Sequence, residues 1–595
     1  MSDVHAQALD NLVNQFARPL DFLRELAQNS IDAGSPRIEV WVDYLPPRDD
    51  AQGVLQIGVD DFGEGMDDTI IDDKLSRLFE STKDDDLTKI GKFGIGFTSI
   101  FAIAPDAVVL LTGRHGSWWK LHFHRDRTFS KLAYDEPVQG TKITLYKELP
   151  ADEVERFVRD AHDNLAYWCE HSDCPITFHD RTQGEAGPVA DTADPFAAFA
   201  DDVPRTGPEA INRPLDLDAE LFVRHTEPGT EVVIGYEASP RFGYYNGGLT
   251  LLNTPHVDAL GVFAEALGHL SFKVKNDRLE HTLTRDNVLQ DDHWRQAMNV
   301  VIRARAKLRE ALVDRVEAAV RDGHDLTRWH RHLADECASA TGDDLARSLR
   351  KRTLFRDPWG RPLTAERVRD QRARVGAVVL GEGDTPLHAM LDKQGIAIVA
   401  DTPATRALLQ SMESQPLFEF LRVRHVYARA DELFVLPDLV DPGALSAEER
   451  PLLERTRELM AAAVGLRLRM PATEAVLRYA PDPDGLLNRI ELVVGDFGGM
   501  QLGAADVLAL NGPRDKTVFA RPGPRWLRLP GFLSWRSLLV NRHHPLFRAQ
   551  VLASHEDLHL AAVGLAMALL HSEGLEGEAS YLRLLEAAWA ERGVA

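Results

Sequence analysis

Glu25, Asn29 and Asp32 follow one another at spacings of four and three in RELAQNSIDAG, residues 24–34. On an α-helix those intervals gather a carboxylate, an amide and a second carboxylate into one stripe, with Leu23, Leu26, Ala27 and Ile31 on the opposite side. Taken alone, such a stripe describes a solvated face. Three motifs downstream give it another meaning. DFGEGM, residues 61–66, ends an apolar strand in Asp61 and turns through Gly63 and Gly65 to Met66. GKFGIGF, residues 91–97, sets Gly91, Gly94 and Gly96 among Phe93, Ile95 and Phe97, ahead of the apolar segment TSIFAIA. Gly140 and Thr141 open the strand-like GTKITLY.

Together these are the parts of a nucleotide site. Glycines let backbone N–H groups approach phosphate oxygens, helped by the positive end of a following helix. The Asn29 amide oxygen suits Mg2+, a hard cation that otherwise keeps water and phosphate ligands. Asp61 can accept a hydrogen bond from an exocyclic amine, which selects adenine. Glu25, one turn before Asn29, is placed to orient and deprotonate an attacking water.

The elements that must carry these residues are readable in outline. After the opening helix come RIEVWVDY, VLQIGVDD, AVVLLTG, SWWKLHFH and GTKITLY, all apolar-rich strands. Strands with a few long helices predict an α/β sandwich over residues 1–180. Residues 181–213, rich in Pro, Ala, Asp and Gly, read as a linker. Residues 214–470 form a second α/β region, with AELFVRH, TEVVIGYE, GGLTLLN and LSFKVKN as strands. One or two long amphipathic helices follow from Asp291, then a small strand–helix–strand unit between residues 375 and 437. Residues 475–595 end in two helices, one in HEDLHLAAVGLAMALLHSEG stopped by Gly574 and the other EASYLRLLEAAWAER.

Bulk properties narrow the class. A chain of 595 residues holds about three or four domains. Its net charge of −24 argues against a broad nucleic-acid footprint and against anionic membrane surfaces. Three cysteines exclude a disulfide framework and suit a reducing cytoplasm. Cys169 and Cys174, with His171 and His179 nearby, fit no familiar zinc spacing. No stretch is apolar enough to span a bilayer and no secretory leader is visible, so a cytoplasmic location is expected.

The order and spacing of the four motifs resemble the Bergerat-type ATP-binding fold shared by the Hsp90 chaperones, DNA gyrase, MutL and the sensor histidine kinases, the GHKL superfamily. That resemblance implies ATP and Mg2+ as cofactors. Glu25 becomes the general base, Asn29 the magnesium ligand, Asp61 the adenine reader with Thr141 beside it, and GKFGIGF the γ-phosphate loop. Asp32, Gly63, Gly65 and Met66 complete the expected nucleotide contacts, and Lys83 in ESTK is a candidate phosphate contact.

Among the branches, GKFGIGF and GTKITLY look like the Hsp90 form, the HtpG-like one; a MutL protein would show a GFRGEAL-like loop instead. LEHTLTRDNVLQ, residues 279–290, resembles the Hsp90 middle-domain catalytic loop, which implies that Arg285 reaches the γ-phosphate. LGEGDTPLHAMLDKQGIAIV looks like a degenerate small middle subdomain, and LLVNRHHPLF, residues 538–547, resembles part of the C-terminal dimerisation domain. The expectation is an ATP-binding domain, an α/β middle domain and a mixed α/β dimerisation domain. It would work as an ATP-hydrolysing chaperone, a homodimer acting on client proteins. A MutL- or MORC-like clamp on DNA, or a nucleotide-gated binding module with little turnover, are the alternatives. Two departures stand out: the stretch from Met66 to Gly91 is shorter than the family's usual lid, and the tail lacks an acidic co-chaperone peptide. Phe242, Tyr244 and Tyr245 in RFGYYNGG are either client-holding apolar residues or ordinary strand residues.

Overall fold

The computed structural model describes residues 18–47, 52–76, 96–125, 128–182, 207–282, 287–339, 345, 348–375, 377–413, 426–436, 438–463, 467–469, 476–478, 491–496, 507–512, 519–520, 537–572 and 578–590. The chain divides into two compact units, Met1–Leu308 and Arg309–Ala595. The division falls inside the stretch expected as a middle domain.

In the first unit, helix α1 (Phe22–Asp32) precedes strands β1 (Ile38–Leu45), β2 (Gly53–Asp61), β3 (Ala107–Arg114), β4 (Ser117–His124), β5 (Phe129–Tyr134) and β6 (Thr141–Leu149). Helix α2 (Ala151–Cys169), strand β7 (Ile176–Asp180) and the short β8 (Glu209–Ala210) follow. The strands form one sheet in the order β5-β4-β3-β6-β2-β1-β7-β8. Neighbours run antiparallel except β1 and β7, which are parallel. The mixed α/β class expected from sequence is the class observed.

Side-chain alternation decides which face of this sheet is covered. Val40 and Val42 of β1, Leu55, Ile57 and Val59 of β2, Val108 and Leu110 of β3, and Ile143 and Leu145 of β6 all enter one core. Phe22, Leu23, Leu26 and Ala27 of α1 meet them there, with Ala161 and Leu165 of α2 and Phe97, Ile100 and Phe101 of the segment after the glycine-rich loop. Helix α1 stops where the amides of Gly34 and Ser35 turn back to the carbonyls of Ile31 and Ser30, satisfying its last turn.

A second sheet in the same unit is built from β9 (Phe222–Glu227), β10 (Thr230–Gly235), β11 (Phe242–Asn246), β12 (Leu249–Thr254) and β13 (Ser271–Asn276), in the order β12-β11-β13-β10-β9. Phe242, Tyr244 and Tyr245 are at most 1% exposed. Tyr244 packs against Phe272 on one face of the sheet and Tyr245 beside Val233 and Leu215 on the other, so both faces are covered and none of the three is a surface that holds clients. The two sheets are tied at the end of α2. Lys273 Nζ lies 2.9 Å from His171 Nε2, Thr250 Oγ1 donates to the Tyr167 carbonyl at 2.8 Å, and Leu249 sits in the first sheet's core. The stretch read as a linker contributes β8, and Asn212 holds the carbonyls of Ser172 and Cys174.

Helix α3 spans Asp292–Asp322. In the second unit, a parallel sheet in the order Ile398–Ala400, Ala377–Gly381, Val426–Arg429 carries the helices Pro386–Lys393 and Pro403–Glu413. Farther on, Glu491–Asp496 pairs in parallel with Ser537–Asn541. Helices Glu449–Ala463, Leu558–Ser572 and Glu578–Ala590 share a core there through Leu452, Met460, Leu565, Leu569 and Leu584. Among the described residues, no helix is long and apolar enough to cross a membrane.

Candidate nucleotide-binding site

Asp61 reaches the covered face by register alone. Leu55, Ile57, Val59 and Asp61 alternate along β2, so the carboxylate continues a row of core side chains and is only 7% exposed. On the two neighbouring strands, Thr141 of β6 and Thr112 of β3 occupy the same face and pair directly. Three polar groups thus end three adjacent strands at one side of the sheet.

They are knitted together. Asp61 Oδ1 accepts from the amides of Gly63, at 3.0 Å, and Thr141, at 3.1 Å, while Ser30 Oγ of α1 lies 3.5 Å from Oδ2. Burial pushes the Asp61 carboxyl above the ordinary carboxylate value, against the pull of these three donors. Thr112 Oγ1 lies 3.1 Å from Thr141 Oγ1, donates to the Gly140 carbonyl and accepts from the Met66 amide at 2.9 Å. Gly65 has φ +67°, and a Cβ there would overlap the carbonyl of Gly113, so the turn after Asp61 needs glycine on both counts. Ser35 fixes the same turn from below, its hydroxyl accepting from the Phe62 amide at 2.9 Å.

Helix α1 supplies the opposite wall. Its apolar side buries Phe22, Leu23, Leu26 and Ala27, which leaves Glu25, Asn29 and Asp32 on the other side. Glu25 and Asn29 are partly buried and Asp32 is exposed, with Gln28 Nε2 donating to it at 2.9 Å. One turn of helix, about 6 Å along the axis, separates Glu25 from Asn29. A Cβ on Gly96 would stand 2.8 Å from Glu25 Oε2, so the backbone after the glycine-rich loop lies directly against the carboxylate. Phe97 then anchors that backbone in the core against Phe123, with ring centroids 5.5 Å apart.

The structure therefore sets Gly96 against Glu25, with Asn29 one helical turn farther along α1, and brings Asp61, Gly63, Gly65, Met66 and Thr141 together, with α1 reaching that second group through Ser30. Lys83, Gly91, Phe93, Gly94, Ile95 and Arg285 lie outside the described residues. Sequence reasoning missed Ser30, Thr112 and Ser35. Thr112 carries a usable signal, since Val108, Leu110 and Thr112 continue one period-two row.

Metal chemistry has one candidate place. Among the described residues no group of three His, Cys, Asp or Glu side chains is arranged to hold a metal ion. A cation at Asn29 would therefore draw its remaining ligands from phosphate and water, as Mg2+ does on nucleotides. Cys169 is buried, its thiol pushed up to about 12 by desolvation, which suits core packing and not ligation.

Arg24, next to Glu25, was also unread. Its guanidinium stands 4.5 Å from the centre of the Trp168 ring and 3.9 Å from Glu25 Oε1, and meets His281 Nε2. Trp168 and Asn164 both donate to Asp21 Oδ1, at 3.0 and 3.1 Å, clamping α2 onto the start of α1. His281 belongs to a hairpin stem. The Leu289 amide donates to the Glu280 carbonyl at 2.7 Å, His281 bridges Val288, and the Thr282 amide donates to the Asn287 carbonyl at 2.9 Å.

Residues 21–157 match the family described as histidine kinase-, DNA gyrase B-, and HSP90-like ATPase. The match spans α1, the turn after β2 and the Gly140–Thr141 start of β6, so these residues form a GHKL-type ATPase domain. No curated protein matches the chain.

Proposed function

We propose that the ATPase domain of residues 21–157 powers an Hsp90-like molecular chaperone, hydrolysing ATP to open and close a homodimer on client proteins. The observation that carries this reading is the placement of Glu25 and Asn29 on one wall and Asp61 on the other, with Gly96 against Glu25. Asp61 accepts from the adenine amine while its own position is held by Gly63 and Thr141. Glu25 takes the proton of the attacking water. Bound Mg2+, held by Asn29, would neutralise phosphate charge. Arg285, by resemblance, offsets charge on the transferred phosphoryl group.

Two further observations support the chaperone branch. The stem of the hairpin that resembles the Hsp90 catalytic loop touches α1 at Arg24. In the last helix, Leu582, Leu585 and Trp589 are 52, 38 and 56% exposed at spacings of three and four, one apolar stripe. Leu560 and Met567, seven residues apart on Leu558–Ser572, are exposed as well. Such stripes are what a second copy of the chain would cover.

The test is ATP turnover by the full chain and by Glu25→Ala, with ATP binding measured on both. The expected result is turnover lost by a factor of about 10²–10⁴ with binding kept. Wild-type protein that binds ATP without Glu25-dependent turnover would reduce this domain to a nucleotide-gated binder. Tight DNA binding that weakens steeply with salt would instead favour the MutL- or MORC-like clamp.

A further inference from the structure

We infer that Thr112 sets the polarity of the base-reading site: its buried hydroxyl takes the Thr141 proton, so that Thr141 presents only lone pairs to a nucleobase and a 6-aminopurine is preferred to a 6-oxopurine. This role rests on Asp61 as the base reader and places a specificity-determining residue behind it.

A carboxylate leaves part of the choice between purines open. Asp61 can accept from the amine of adenine, and it can also accept from the ring N1–H of a 6-oxopurine. The rest of the choice falls to the next polar group on the same face. Thr141 opens β6, its amide donates to Asp61 Oδ1 at 3.1 Å, and the residue is 8% exposed. Its hydroxyl can donate or accept, and only its surroundings decide which.

Thr112 decides it by count. It stands opposite Thr141 on β3 and is fully buried. Its hydroxyl has one proton and two lone pairs. Three groups meet it: the Met66 amide at 2.9 Å, the Gly140 carbonyl at 3.1 Å and the Thr141 hydroxyl at 3.1 Å. The amide can only donate and the carbonyl can only accept. With the Thr112 proton on Gly140 and one lone pair on Met66, the remaining lone pair receives the Thr141 proton, and every contact carries a hydrogen. With the Thr112 proton on Thr141 instead, the Thr112 and Gly140 oxygens face each other at 3.1 Å with no proton between them, a costly arrangement at a buried residue. The first arrangement is favoured. It leaves the Thr141 oxygen with acceptor capacity alone.

An amine at purine position 6 brings two donors, one for Asp61 and one for Thr141. A carbonyl at that position sets lone pairs against lone pairs. The turn after Asp61 is packed onto the same junction, since a Cβ on Gly65 would stand 2.9 Å from the Gly140 carbonyl. Thr112 therefore joins that turn, the start of β6 and the direction of the Thr141 proton in one place.

Binding of ATP and of inosine triphosphate, which carries a carbonyl in place of the amine, tests this by calorimetric titration. The proteins are the full chain, Thr112→Val, Thr112→Ser, Thr141→Val and the double valine variant. Wild type should favour ATP. In Thr112→Val the Thr141 proton loses its acceptor and turns to the base. ATP should then weaken and inosine triphosphate tighten by about fivefold each, the worth of one neutral hydrogen bond, so the preference for ATP falls about 25-fold. Thr112→Ser should keep the wild-type preference. Thr141→Val should weaken ATP about fivefold and spare inosine triphosphate, and adding Thr112→Val to it should not move the preference further. A Thr112 that merely supports the fold would weaken both nucleotides alike. An unchanged preference in Thr112→Val, a lost preference in Thr112→Ser, or a Thr141→Val that weakens inosine triphosphate more than ATP would each overturn the inference, the last without needing Thr112→Val to fold. A wild type that binds both nucleotides equally removes the Asp61 reading and this inference with it, whereas an ATP-selective wild type with an insensitive Thr112→Val overturns the inference alone.

Discussion

Replacing Asp61 by asparagine separates recognition from folding. Both backbone donors, from Gly63 and Thr141, converge on the same carboxylate oxygen, Oδ1. An asparagine carbonyl placed there keeps both bonds. The amide NH2 then occupies the Oδ2 position, facing Ser30 Oγ, which already donates to the Leu26 carbonyl at 2.9 Å and so has lone pairs to offer. Burial disfavours the ionised Asp61, so the neutral substitute should hold or raise the unfolding temperature at neutral pH. The ligand meets the opposite situation, since an adenine amine now faces a donor where it had an anionic acceptor. A hydrogen bond to a charged group is worth roughly 1.5–3 kcal/mol, so ATP affinity should drop about 10- to 150-fold. Calorimetric titration with ATP, beside thermal unfolding of the same samples, reads both quantities. Asp61→Ala is the contrast, because it strands two amides and should lose roughly 1–3 kcal/mol of stability for each buried one. A stable Asp61→Asn protein that binds ATP as tightly as wild type would refute the assignment of Asp61 as the base reader.

On the other face of the same strand, burial lifts the neighbouring Asp60 from 3.8 to about 6, partly countered by Lys142, Trp41 and Arg181. The folded state therefore binds this proton more tightly than the unfolded chain. The resulting stability is complete below about pH 4 and is lost as pH rises to about 6. Asp60→Asn should remove that slope and stabilise the neutral protein by up to about 3 kcal/mol, the worth of a two-unit shift, as read by denaturant unfolding across this range. A slope that survives the substitution would assign it to another group. Separately, Leu585→Lys with Trp589→Lys should weaken self-association by about three orders of magnitude, at roughly 1 kcal/mol for each of the four half-exposed apolar side chains, two per copy, no longer covered. Sedimentation equilibrium reads this, and a wild type that is monomeric at all concentrations tested would refute the dimer.

What the sequence disclosed about the site follows from the reach of local patterning. Asp61 was legible because DFGEGM sets a carboxylate at the end of an apolar strand, ahead of a turn through two glycines. The stripe of Glu25, Asn29 and Asp32 was legible from its helical period. Strand β5 and helix α2 were not read. Helix α2 was open to that reading, since Val154, Phe157, Val158, Ala161, Leu165, Trp168 and Cys169 recur at helical spacing and pack on the core. Tyr244 and Tyr245 keep the alternation and face opposite sides of their sheet; that both sides are covered cannot be inferred from side-chain type.

The residues that eluded sequence reading share one property: their meaning lies in a partner far along the chain. Ser30 looks like a neutral helix residue until Asp61, thirty-one positions on, is placed above it. Arg24 looks like a solvated cation until α2 brings Trp168 to it and the second sheet brings His281, 257 residues away. Periodicity states which face a side chain takes, and a motif states which chemistry a backbone turn permits. Neither states what stands across the gap. Glu25 shows the difference most sharply. Its residue type and helical position suggest a base, but neither shows that Gly96 lies against its carboxylate or that Arg24, 3.9 Å from it, also faces Trp168. Those neighbours come from α2 and from the stretch after the glycine-rich loop, and no motif of the domain says that they meet there.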